Sequence, residues 1–366
     1  MIARSHLGAL VAALLPLLVV ACSGPDGTPA ATTAAVPTFE ADPSWPVLPE
    51  DFEWGQVIGI AADAGGHVWT SSGSVIAEWD PDGNLVQSWD ASGPDGTWSV
   101  IHGLFIDHND FVWTNARESN LTLKFTRDGQ HVLTIGRLDE TGGSNDTELM
   151  GRPAEIWVDP SDNEVFVADG YGNRRVVVFD GETGAYLRHW GAYGERPDDG
   201  YRPAPGSTEP SRQFRTPHGI TGSRDGLVYV ADRANNRIQV FQQDGTFVRE
   251  KVLRTPCGGR GAPPVPGCAT EAAFSLGFSP DDAQTFLYVA DGGSHVIAVL
   301  RRADLEKVDE FGGPGRGNGQ LGRPHNLAVD PSGNIYVAEA AGPWIVDPAA
   351  GDSAQAGFRA QKFTVR

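Results

Sequence analysis

Positive charge, cysteine and long apolar runs are all scarce in this chain of 366 residues. Lys and Arg number 28 against 47 Asp and Glu, a formal charge of −19. A nucleic-acid partner needs a basic patch to displace counterions from phosphate, so that class is excluded. A polybasic face for anionic lipid is excluded on the same ground, and the surplus of carboxylates reads as a solubilising surface. Three cysteines (Cys22, Cys257 and Cys268) are too few to build a metal site on thiolates alone. The apolar run at 7–20 falls short of the roughly 20 residues that a membrane-spanning helix needs. Beyond it no stretch keeps a helical period. The glycine-rich run 311–321 lacks the Lys-Ser/Thr ending of a phosphate loop and leads into a strand, not a helix.

What is present begins with an export signal. Arg4 supplies a basic start, residues 7–20 the apolar core, and Val19-Val20-Ala21-Cys22 resembles a bacterial lipobox. That resemblance implies lipidation of Cys22, with Ser23 after it favouring the outer membrane in a Gram-negative cell. The competing reading is an ordinary cleaved signal with a chance cysteine. On the lipobox reading the protein sits in the bacterial cell envelope, on the periplasmic or extracellular face, and meets the membrane only through its lipid anchor. Residues 1–22 are then signal, 23–47 a flexible linker rich in Ala, Thr, Gly and Pro, and 48–366 the folded domain. In an exported protein, Cys257 and Cys268 pair naturally as a disulfide across a Gly/Pro loop.

The folded part is a repeat. Each unit is an apolar strand ending in Asp, a turn with Gly or Asn, a V-x-V-A-D strand, a polar turn and a further apolar strand. Six copies open at Ile58, His102, Ala154, His218, Ser275 and His325, 44 to 64 residues apart. Alternation such as Val228-Tyr229-Val230-Ala231-Asp232 has period two, so these are strands, and the spacing suits four strands per unit. The fold class predicted is all-β, a six-bladed β-propeller closed into a ring without exposed sheet edges. The C-terminal segment 358–366 is predicted to be the last strand of blade 6.

Three of nine histidines, His102, His218 and His325, hold the opening position of blades 2, 4 and 6. Alternate blades of a six-fold ring lie about 120° apart. If the position faces the channel, three imidazoles converge at one level, the trigonal arrangement with an open fourth site that catalytic Zn²⁺ uses. Singly, each histidine would be a channel-lining residue of the repeat; alternation around the ring argues for a shared metal site.

Residues such as His325-Asn326-Leu327 resemble the NHL repeat, and the run 311–321 is similar to that family's inter-blade turn. From about residue 54 onward, Gly55-Gln56-Val57, His102-Gly103-Leu104, Ala168-Asp169-Gly170-Tyr171-Gly172-Asn173-Arg174-Arg175, Pro217-His218, Ala231-Asp232-Arg233 and Pro324-His325 resemble the peptidyl-α-hydroxyglycine α-amidating lyases. The resemblance implies zinc on His102, His218 and His325, a catalytic role for Tyr171, and calcium held by the Val57 and Leu104 carbonyls with Asn326. It implies carbon–nitrogen cleavage of a small-molecule or peptide α-hydroxyglycine. Two departures stand out. The family's arginine after the second strand of blade 1 is missing from Thr70-Ser71-Ser72-Gly73, leaving Arg233 and Arg174 as cationic partners. The acidic calcium ligand is Asn326, an uncharged and weaker donor. Tyr171 also reads as a turn tyrosine, and Arg174 and Arg233 as inter-blade ion-pair residues. The alternative function is a non-catalytic NHL propeller that binds a cell-envelope protein through long loops at 193–215 and 255–273. A lactonase-type site fits less well, because no set of acidic residues occupies the channel position.

Overall fold

The computed structural model describes Met1 and residues 34–52, 55–202, 211–254, 271–340 and 359–366. Cys22, Cys257 and Cys268 lie outside the described residues, and with them the lipidation and disulfide expectations. No helix among the described residues is long and apolar enough to cross a membrane.

Six four-stranded antiparallel sheets form the six blades expected. The innermost strands are Val57–Ala62, Ile101–Ile106, Ile156–Val158, Pro217–Gly222, Ala273–Phe278 and Pro324–Val329. In blades 1 to 5 the first three strands are almost wholly buried, while the fourth alternates or faces out, as Leu85–Asp90 does. Between blades, apolar side chains such as Trp69, Trp113, Phe166 and Tyr229 are completely buried. This sheet-to-sheet burial is the main stabilising term, because each blade alone would leave both apolar faces wet.

The ring closes on a strand that the sequence reading placed in the linker. Phe39–Asp42 pairs with Arg359–Val365 and forms the outer edge of blade 6. The C-terminal segment is therefore the third strand of that blade, and the propeller starts at about residue 36, not 48. Pro- and Ala-rich flanks hid the short strand. Its pairing uses residues more than 300 positions away, which no local pattern reveals.

The Asp that follows the innermost strand in blades 1, 2 and 6 has a defined task, while Ser223 and Ser279 stand there in blades 4 and 5. Asp107 Oδ1 accepts the backbone N–H of Asn109 and Phe111, and its Oδ2 accepts Trp113 Nε1 at 2.8 Å. Asp63 does the same for Trp69, and Asp330 for the Tyr336 hydroxyl. One carboxylate thus satisfies a tight turn and orients the aromatic anchor of the next strand. Asp63, His67 and Glu78 lie close enough together to suggest a metal site. Their oxygens are instead occupied by Arg127, Trp69, Gln87 and turn amides, which makes the group an ion-pair network joining blades 1 and 2.

Candidate metal centre

The three histidines sit on β-bulges. In blade 4, Pro217 pairs with Asp232 and Gly219 with Ala231, so His218 is the extra residue. His325 is bulged in the same way between Pro324 and Asn326, and the ladder of blade 2 breaks between Ile101 and Leu104, around His102. A bulge re-aims one side chain out of the pleat, here into the channel. The imidazole centroids stand 4.7 to 5.0 Å apart, and all three rings are buried.

Blade 5 corrects the predicted phase. Its bulged residue is Phe274, between Ala273 and Ser275, so Phe274 and not Ser275 shares the histidines' position. The Phe274 ring packs edge-on against His218 and His325 at 5.4 and 5.5 Å. One side of the triad is therefore walled by hydrocarbon.

The next residue in each blade explains how the imidazoles are held. His102 Nδ1 donates to Ala154 O at 2.9 Å, and His218 Nδ1 to Phe274 O at 2.7 Å, each a carbonyl of the following blade. Gly103 and Gly219 let those carbonyls in: a Cβ at 103 would lie 2.4 Å from Ala154 O, and one at 219 would lie 2.8 Å from Phe274 O. His325 is followed by Asn326 instead, whose Oδ1 accepts the Nδ1 proton at 2.7 Å. Acceptors on all three Nδ1 atoms put the protons there and leave every Nε2 as a bare lone pair. Burial, followed by the nearby Arg117, pushes His102 down to about 3. Burial and neighbouring imidazoles hold His218 and His325 well below the usual range. Three neutral imidazoles with converging Nε2 lone pairs are a donor set that fits a divalent metal with nitrogen preference.

Tyr171 closes the triad. Its hydroxyl is 3.1 Å from the Nε2 of both His102 and His218, and it accepts a hydrogen bond from Arg233 Nη1 at 2.9 Å. The turn that carries it is tightly clamped. A Cβ at Gly170 would lie 1.8 Å from Pro217 O, and one at Gly172 would lie 2.7 Å from Gly151 O. Asp169 accepts Gly151 N and Asn173 Nδ2, and its buried pair with Arg175 ties in the carbonyls of Ser144 and Leu149. The Asp-Gly-Tyr-Gly-Asn-Arg-Arg spacing thus serves one purpose, a rigid perch for Tyr171. Arg174 is not part of this group. It lines a neighbouring cleft of about 530 Å³ with Arg152, Arg202, Glu118 and Asp199.

Below the histidines lies a polar layer that sequence reading did not find. The carboxyl of Glu155 is buried, accepts Ile220 N at 3.1 Å, and shares hydrogen bonds with Ser275 and Asn326. It separates the triad from a cavity of about 510 Å³ at the other mouth of the channel, lined by residues such as Leu104, Trp157, Leu276 and Leu327. The carboxyl oxygens at the level of Asn326 therefore belong to Glu155. Burial raises this carboxyl from 4.5 to about 8. The unfolded chain loses the proton near 4.5 and the folded chain near 8, so stability present below pH 4.5 is lost as pH rises to about 8. In metal-free protein, Glu155→Gln is expected to flatten the fall in thermal midpoint between pH 5 and 8, an effect on the order of a few kcal/mol. An unchanged slope would show that Glu155 is ionised throughout.

Fold and site together define the class: a six-bladed β-propeller with a buried tri-histidine pocket on its axis. The NHL repeat profile matches residues 214–241, within blade 4. In sequence the chain is similar to peptidyl-α-hydroxyglycine α-amidating lyases. It is 29% identical over 255 residues to peptidyl-alpha-hydroxyglycine alpha-amidating lyase 1 of Drosophila melanogaster, covering 65% of this chain and 42% of that protein. It is 27% identical over 338 residues to peptidyl-glycine alpha-amidating monooxygenase B of Xenopus laevis, covering 82% of this chain. The match spans only 34% of that longer relative. Among solved structures, a streptogramin B lyase covers 90% of this chain at a TM-score of 0.54 and 15% identity, a likeness of fold.

Proposed function

We propose that this protein is a zinc-dependent lyase that cleaves the C–N bond of an α-hydroxyglycine-type hemiaminal, releasing an amide and glyoxylate. The observation that carries this reading is the convergence of three Nε2 lone pairs on a tyrosine hydroxyl that lies 3.1 Å from two of them, can donate its proton to either one, and accepts a hydrogen bond from Arg233. Zinc held by His102, His218 and His325 would supply Lewis acidity toward the substrate hydroxyl. Tyr171 has the position of a proton carrier: it takes the hydroxyl proton as the C–O bond becomes C=O and returns one to the departing amide nitrogen. Arg233 stabilises the tyrosine oxygen while it lacks its proton. Atoms balance without a further reactant, since R-CO-NH-CH(OH)-COO⁻ becomes R-CO-NH₂ and OHC-COO⁻.

A non-catalytic scaffold has no use for three buried, neutral imidazoles under a clamped tyrosine, so the enzymatic reading is preferred. Calcium is proposed only for the layer beneath, from the Leu104 carbonyl with Asn326, where Glu155 would add the missing negative charge; Val57 pairs as Ile101 does, before the channel position, and Ile60 is the counterpart of Leu104 in blade 1. Anchoring through Cys22 would place the reaction on the outer side of a membrane. Zinc-loaded protein is expected to convert N-benzoyl-α-hydroxyglycine to benzamide and glyoxylate in equal amounts. Metal-replete protein that releases no glyoxylate would sink the lyase reading.

A further inference from the structure

The rim above the triad is built by one repeated contact. In five of the blades a residue one or, in blade 3, two positions past the second strand donates its backbone N–H to the residue two positions before the channel position. The pairs are Gly73 with Gln56, Arg117 with Val100, Tyr171 with Arg152, Arg233 with Thr216 and Ala340 with Arg323. Blades 2, 3 and 4 thus present Arg117, Tyr171 and Arg233 side by side in equivalent positions, while blade 1 presents Gly73. The guanidinium carbons of Arg117 and Arg233 lie 4.6 and 5.6 Å from the centre of the Tyr171 ring.

Charge at this rim runs against that of the whole chain. Arg117 and Arg152 share Glu118, and Arg233 and Arg323 share Glu271. Four guanidiniums face two carboxylates, which leaves two positive charges beside the tyrosine in a protein of net charge −19. The Nε of Arg117 and the Nε of Arg233 are both buried without a hydrogen-bond acceptor. A buried donor without an acceptor is destabilising, and a bound anion would relieve that cost. The guanidinium fork matches a carboxylate in shape as well as in charge.

We infer that Arg117 and Arg233 hold the substrate's carboxylate from the two sides of Tyr171, Arg117 in blade 2 supplying the cation that blade 1 lacks. The choice of a carboxylate as ligand rests on the lyase reading; the clamp itself is read from the rim. Arg117 is thereby a specificity-determining residue, selecting an acid over its neutral amide.

The test is binding, not turnover. The full chain, metal-free and zinc-loaded, is titrated calorimetrically with N-benzoylglycine and with N-benzoylglycinamide. Wild type is expected to bind the acid at least tenfold more tightly than the amide in both states. Arg117→Ala and Arg117→Gln should bring the acid to the level of the amide, with Arg117→Lys between, while zinc stoichiometry and thermal midpoint stay unchanged. Acid binding undiminished in Arg117→Ala and Arg117→Gln, or no preference for the acid in wild type, overturns the clamp. Because these ligands do not react, absence of glyoxylate in the turnover assay would leave this result standing on its own.

Discussion

His102→Ala and His218→Ala are each expected to reduce bound zinc from about one per chain to none after dialysis, with glyoxylate release falling to background. Losing an outer partner of a metal ligand typically costs about 10–100-fold in affinity. Loss of a ligand itself removes one of three bonds and leaves a two-coordinate remnant, so the expected loss exceeds 100-fold. The fold should survive, because the imidazoles line a channel and are not part of the inter-blade apolar packing. Far-ultraviolet circular dichroism and a thermal melt check this, and His102→Gln is a gentler replacement that fills the same space. Equimolar zinc retained by both alanine variants would remove the triad from consideration as a metal site.

Tyr171→Phe is expected to separate chemistry from metal binding. The ring and its packing against His102 and His218 stay, with centroids now 5.2 and 5.5 Å away, while the hydroxyl that lies 3.1 Å from both Nε2 atoms is removed. Zinc content should be unchanged. A positioned acid–base group contributes about 10²–10⁴ in rate, so kcat should fall by that range with little change in KM. A variant with wild-type kcat would reduce Tyr171 to a turn tyrosine, the competing reading of its motif. Arg233→Ala, by contrast, should lower kcat and raise KM together, since Arg233 both touches the hydroxyl and faces the anionic ligand.

How far the sequence reached differs from residue to residue. The in-phase histidines were legible because a propeller turns equal repeat positions into equal places in space. In blade 5 the channel position was read at Ser275, one residue past Phe274, because a bulge adds a residue that period-two alternation does not mark. Arg174 and Arg233 looked alike as cations near the tyrosine motif. Arg233 reaches the hydroxyl from the neighbouring blade 4, while Arg174, on the tyrosine's own turn, lines the adjoining cleft. Glu155 and Arg117 gave no local signal, since each gains its meaning from residues on other blades: Ser275 and Asn326 for the first, Tyr171 for the second.

The amino-acid sequence by itself determined the strand periodicity, the six repeats, the spacing that spreads three histidines over alternate blades, and the glycines that leave room for a carbonyl or a tight turn. These are properties of single residues and their neighbours. Ring closure through Phe39–Asp42, the acceptors that fix all three imidazole tautomers, the carboxyl layer below and the arginines on either side of Tyr171 were decided only by the tertiary structure. Each joins groups that are distant in the chain, and its energy exists only once the blades have closed and water has left the axis.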